Sequence, residues 1–183
     1  MKIHKVAIAL SFLIATNAIA EDAVTFKLGG WSKHLTDMKE NTKEHFGGYN
    51  EKQQGFGIER VFDAGNNTSW SAGISYMKDS YSEPAFTIGG SWKKRYANLY
   101  GSDFFVDLGV VGGVQSRSYI KTRDFFYEST ERMTMPFVAP MLNVGYKQAY
   151  ANFIVYPHIT KENDELVWNK PVIFWQFAYD FKI

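Results

Sequence analysis

From Ile173 to the end of the chain, apolar side chains fall on every second residue. Ile173, Trp175, Phe177, Tyr179, Phe181 and Ile183 share one face, and Phe174, Gln176, Ala178, Asp180 and Lys182 share the other. A period of two is the signature of a strand with two unlike faces. The same alternation recurs upstream. It covers Val24 to His34, Gly55 to Phe62, a third segment through Trp70, Ala72, Ile74 and Tyr76 to Lys78, Pro84 to Tyr96, a fifth from Phe104, about Thr134 to Tyr146, and Tyr150 to Pro157. Short connections at Asp63–Asn67, Ala97–Ser102 and Lys147–Gln148 alternate with polar stretches at Leu35–Gln54, Gln115–Arg132 and His158–Lys170, and with the brief Asp79–Glu83. Short turns at one end and long connections at the other are the habit of membrane barrels.

The pattern therefore predicts an all-β fold, an eight-stranded antiparallel transmembrane barrel of the bacterial outer membrane. In the last segment a lysine turned to lipid costs about 2–4 kcal/mol at the midplane, so the odd-numbered face must look outward. An even strand count puts both chain ends and the short turns in the periplasm. His34 and the Asp79–Ser80 pair then lie together on the outer rim. A soluble lipocalin-like barrel also alternates, but the flanking helix and N-terminal signature of that class are not found here.

Composition supports the membrane. Aromatic residues make up 17% of the chain, with 11 Tyr, 15 Phe and 5 Trp. Residues 1–20 read as a secretory signal peptide: Lys2 and Lys5, an apolar run from Val6 to Ala15, and Ala18-Ile19-Ala20 before Glu21. The remainder, 21–183, reads as a single barrel domain. Removing Lys2 and Lys5 leaves 18 basic against 19 acidic residues, a balance that implies no nucleic-acid partner. There is no cysteine, so pairing and packing alone must hold the fold.

The candidate chemistry lies at the lip of the third strand. An Asp-Ser pair is a common turn, because both side chains bond to nearby backbone N–H groups. Wider motifs shift that reading. Lys78-Asp79-Ser80, the ungapped spacing from Asp79 to Trp92, Tyr49-Asn-Glu51 before Gly55-Phe-Gly-Ile58, Pro140 with Val144-Gly-Tyr146, Tyr156-Pro157, and the closing Phe174-Trp175 and Phe181 resemble, in order, the PagP lipid A palmitoyltransferases. The resemblance implies an acyltransferase that moves palmitate, or a somewhat shorter chain, from a glycerophospholipid donor to lipid A, acting as a monomer. It implies Asp79 and Ser80 as catalytic residues, with His34 as the catalytic histidine two residues further from Trp31 than the family has it. Substrate contacts would come from Ser91, at the family's glycine floor for the acyl chain, from neighbouring Gly89, and from Pro140 and Pro157, whose missing N–H groups open lateral doors. Sequence leaves open whether Ser80 is a nucleophile or a hydrogen-bond donor to the oxyanion. No cofactor and no metal are called for. Two other readings stand beside this one: an outer-membrane lipid A or phospholipid hydrolase, and a non-catalytic structural or adhesion barrel.

Overall fold

A computed structural model describes residues 22–96, 102–124, 126–163 and 165–183; the expected signal peptide, and all but Ser102 of the expected turn at Ala97–Ser102, fall outside them. Eight strands close into an antiparallel ring in chain order: β1 Ala23–His34, β2 Gly55–Gly65, β3 Thr68–Lys78, β4 Pro84–Tyr96, β5 Phe104–Arg123, β6 Phe126–Tyr146, β7 Ala149–Glu162 and β8 Glu165–Lys182. β8 closes on β1 through Ala23↔Lys182 to Leu28↔Phe177. Tight turns lie at one end. Asn66 and Asn67 both take positive φ between β2 and β3, the geometry that suits the twist of a two-residue hairpin.

The alternation expected in β8 is present. Phe177, Phe181 and Ile183 are exposed, whereas Phe174, Gln176 and Ala178 are buried. Leu28, Phe56, Ile88 (70% exposed), Val110, Val138 and Val144 carry the apolar belt around the ring, so the outside suits lipid and the polar side chains point inward. No helix among the described residues is long and apolar enough to cross a membrane; strands make the crossing.

The lower interior is polar, and its buried charges are paired. Arg95 grips Asp107 with two bonds of 2.7 and 3.0 Å, Lys93 lies 3.7 Å from the same carboxylate, and Asn143 donates to it at 3.1 Å. The chain of amides continues from Asn152 to Asn143 and from Gln176 to Asn152. Lys27 pairs with Glu59, which also accepts from Ser71, and Ser71 meets Ser91 at 2.8 Å. Buried charges at this level are tolerable because each has a partner. Above this layer the interior turns apolar, with Met77, Ala85, Val111, Ala139, Met141, Ile154 and Phe174 packed together.

Three of the expected polar connections differ from the sequence reading. β5 and β6 continue to a turn at Asp124, and β7 and β8 to a turn at Asn163, so most of Gln115–Arg132 and His158–Lys170 is strand. Beyond the lipid belt both faces of a hairpin can be polar, which hides its period. These two hairpins touch through a short parallel pairing, Lys121↔Lys161 and Thr122↔Glu162. The first long connection holds a helix, α1 (Glu40–Phe46), and a strap at residues 49–54.

The wall has two interruptions on its outer half. β6 and β7 pair only from Met141↔Ile154 to Tyr146↔Ala149, so their upper lengths part company. β1 and β2 pair only from Ala23↔Val61 to Leu28↔Phe56. Above that point β1 bulges: two residues, Gly29 and Gly30, stand opposite Gln176 alone, and the register with β8 shifts. The bulge inverts the parity of β1. Below it Thr25 and Lys27 face inward; above it Ser32 and His34 do, and without it His34 would face lipid.

Candidate functional site at the outer rim

Asp79 and Ser80 follow the end of β3 and are both buried at 4% exposure. The Asp79 carboxylate is committed to backbone. One oxygen accepts N–H bonds from Tyr81 (2.8 Å) and Glu83 (3.0 Å), and the other accepts from Ser118 on β5 (2.9 Å). Asp79 thus ties the β3–β4 turn to the neighbouring hairpin, and no hydrogen bond joins it to His34 among the described residues.

Ser80 is held by the strap. The Asn50 N–H donates to the Ser80 carbonyl at 2.7 Å, the Asn50 side chain to the Asp79 carbonyl, and the Gln53 amide nitrogen lies 3.3 Å from the Ser80 hydroxyl oxygen and 2.8 Å from that of Ser32. His34 is 6% exposed and stacks on Tyr49 at 3.7 Å, edge-on to His158 at 5.3 Å. Neither nitrogen of His34 has a hydrogen-bond partner among the described residues. Tyr49 connects the two halves of the site, since its ring lies on His34 while the next residue bonds to Ser80. Burial, with help from the Asp37 carboxylate and against the pull of Arg117, pushes the Tyr49 hydroxyl up to about 12; burial raises Tyr81 as well. Both phenols stay neutral at physiological pH.

A cavity of about 30 Å³ adjoins Ser80, with Asp79, Ser32, Gln53, Arg117 and Phe174 on its wall. A second, of about 40 Å³, lies deeper, with Gly89, Val111, Phe137 and Ile154 on its sides and Lys27, Glu59 and Gln176 at the polar layer. Met77 and Tyr156 line both cavities. Ser91 sits in the polar layer through its bond to Ser71, two residues further along β4 than Gly89. Pro140 is exposed on β6, one residue beyond the last β6–β7 pair. Pro157 lies between Tyr156 and His158, opposite Lys170 and Pro171, where β8 carries an extra residue.

Of the residues named from the sequence, Asp79, Ser80 and His34 lie at the outer end of the interior, whereas Gly89 lines the deeper cavity at the polar layer. Gln53 and Ser32 also belong to this neighbourhood and were not singled out; His158 belongs to it as well, through its contact with His34. Ser32 shares its parity with His34 and was readable on that ground; Gln53 had no signal, because its position depends on the strap entering the wall. No group of three or more His, Asp or Glu residues suited to a metal occurs among the described residues.

A closed eight-stranded ring with an apolar outside and a polar, filled inside defines a small outer-membrane-type barrel, in agreement with the expected location in a bacterial outer membrane. Among solved structures, the chain is similar to Neisserial surface protein A at 11% identity and a TM-score of 0.53, over 92% of this chain and 100% of that one. It is also similar to Ail, the attachment invasion locus protein of Yersinia pestis, at 10% identity and a TM-score of 0.41, over 90% and 100%. The likeness is one of fold. No family model matches, and no curated protein matches. Membership of the palmitoyltransferase family expected from the motifs is thus not shown.

Proposed function

We propose that the barrel moves a fatty acyl chain from a glycerophospholipid to lipid A at its outer rim. The observation that carries this reading is the column beneath Ser80: two small apolar-sided cavities that share Met77 and Tyr156 in their walls, one at Ser80 and the other at the polar layer by Glu59. Methionine is the side chain that most readily changes rotamer, and its movement would join the two spaces. The open seam beyond Met141↔Ile154, beside Pro140, gives lipid a way in from the side.

The reaction is then an ester exchange. The acceptor hydroxyl oxygen forms a bond to the ester carbonyl carbon, and its proton passes to His34, whose ring nitrogens are uncommitted. The carbonyl electrons move to oxygen, where the Ser80 hydroxyl donates a hydrogen bond. Collapse breaks the bond to the glycerol oxygen, which takes the proton back from His34 and leaves as a lysophospholipid. Asp79 holds the turn on which Ser80 sits.

A second reading is a non-catalytic surface barrel. Its support is the volume: about 30 and 40 Å³ are far below the ~300–1,000 Å³ of ordinary ligand pockets. The fold likeness is to a barrel named as a surface protein, and that favours this second reading over the first. Mass spectrometry of lipid A and phospholipids from cells with and without the protein separates the alternatives. An acyl group gained by lipid A, and lost on Ser80→Ala or His34→Ala with the folded barrel retained on gels, is the expected result. A lost acyl group would identify a hydrolase, and unchanged lipids would leave the surface barrel.

A further inference from the structure

The segment at residues 49–54 enters a gap that the bulge in β1 creates. Gly29 and Gly30 take φ of +77° and +152°, and a Cβ on Gly30 would meet the Gln53 carbonyl oxygen at 2.5 Å and the Phe174 ring at 3.1 Å. Only glycine lets the strap come this close. The strap is fixed on both sides: the Ser32 N–H donates to the Glu51 carbonyl, Trp31 bridges to Lys52, Asn50 holds Ser80, and the Lys78 N–H donates to the Gln54 carbonyl. The outcome is that Gln53, 6% exposed, reaches across the interior with its amide nitrogen between two buried hydroxyls, Ser32 and Ser80.

We propose that Gln53 is the positioning residue for Ser80: its amide N–H groups occupy the Ser32 and Ser80 oxygens, so that the Ser80 proton is turned into the cavity. The inference rests on the acyl-transfer reading above and decides a point that reading leaves to Ser80. An oxygen that already accepts a hydrogen bond is a poorer nucleophile, and its own O–H is free to donate. Ser80 is then the donor to the oxyanion, and Gln53 is what aims it. Ser32 takes the other amide proton and keeps the side chain from rotating away.

The test is acyl transfer from phosphatidylcholine vesicles to purified lipid A by the full barrel, with heat-modifiable mobility as the check on folding. Five proteins are compared: wild type, Gln53→Leu, Gln53→Glu, Ser80→Ala and Ser80→Ala/Gln53→Leu. Gln53→Leu is expected to lower kcat about tenfold with KM unchanged, the size of one lost hydrogen bond in a buried site. The double variant should be no slower than Ser80→Ala alone. Gln53→Glu is the deciding protein: its carboxylate cannot donate, whereas its acid form can. Its activity relative to wild type should therefore be low at neutral pH and recover as the pH falls through the carboxyl range. A residue that only supports the fold would give a Gln53→Glu ratio with no such recovery, and that result overturns the proposal. Failure of wild type to transfer any acyl group sinks the acyl-transfer reading itself. Active wild type with an equally active Gln53→Leu sinks only the role of Gln53.

Discussion

The two ends of this barrel are built to different rules. In the lower interior every strand is paired on both sides, and each buried charge meets its opposite; Asp107 alone receives Arg95, Lys93 and Asn143. At the outer end two seams lie open, His34 is buried with no hydrogen-bond partner among the described residues, and a strap rather than a strand completes the wall. A site that only had to be stable would not carry these features, since each open backbone edge and each unpaired buried polar group costs free energy. The lower half supplies the stability against which the outer half can be irregular.

That division can be broken most directly at Asp107. Asp107→Ala leaves buried cations without their carboxylate and should destabilise the barrel by about 3–5 kcal/mol, measured by urea unfolding in detergent micelles. A loss below ~1 kcal/mol would mean that the lower network is not the support described here.

Asp79 and Ser80, adjacent in sequence, should differ sharply. Asp79→Ala removes the acceptor of three backbone N–H groups and is expected to cost about 2–3 kcal/mol, with activity lost because the turn loosens. Ser80→Ala should cost only ~1 kcal/mol while lowering kcat by roughly 10²–10³, the loss of one oxyanion donor. Equal unfolding midpoints for the two variants would erase the distinction between the residue that holds the turn and the residue that acts.

The seam offers a purely geometric test, made clean by the absence of cysteine. Val144→Cys with Ala151→Cys places two thiols on a ladder pair and should oxidise to a disulfide readily. Pro140→Cys with Val155→Cys occupies the next outward position that would pair if the ladder continued, and should resist oxidation under the same conditions. Equal cross-linking would close the seam and remove the proposed lipid entry. The smallest effect belongs to the exposed Lys33–Glu51 pair at 3.0 Å: Lys33→Ala should change stability by less than ~0.5 kcal/mol, since both side chains are largely in water.

Much of the fold is legible in the side chains alone. Lipid outside and a polar filling inside force a strict two-residue period, and this is why β8, β4 and the turn at Gly65 follow directly from the side chains. Beyond the belt the constraint lapses, so the upper parts of β5 to β8 were read as polar connections, and α1 was missed. The Asp79–Ser80 pair was visible as a motif, but its chemistry was not. Only the register shows that the Asp79 carboxylate is spent on Tyr81, Glu83 and Ser118.

The sequence by itself thus determined the class of the protein: strand count, the lipid-facing side, and which end carries the polar rim, because these follow from the free energy of side chains in lipid and water. The tertiary structure decided what happens at that rim. A single extra residue at Gly29–Gly30 turns His34 inward and admits Gln53 beside Ser80, and a bulge is a property of two paired strands that neither strand announces alone.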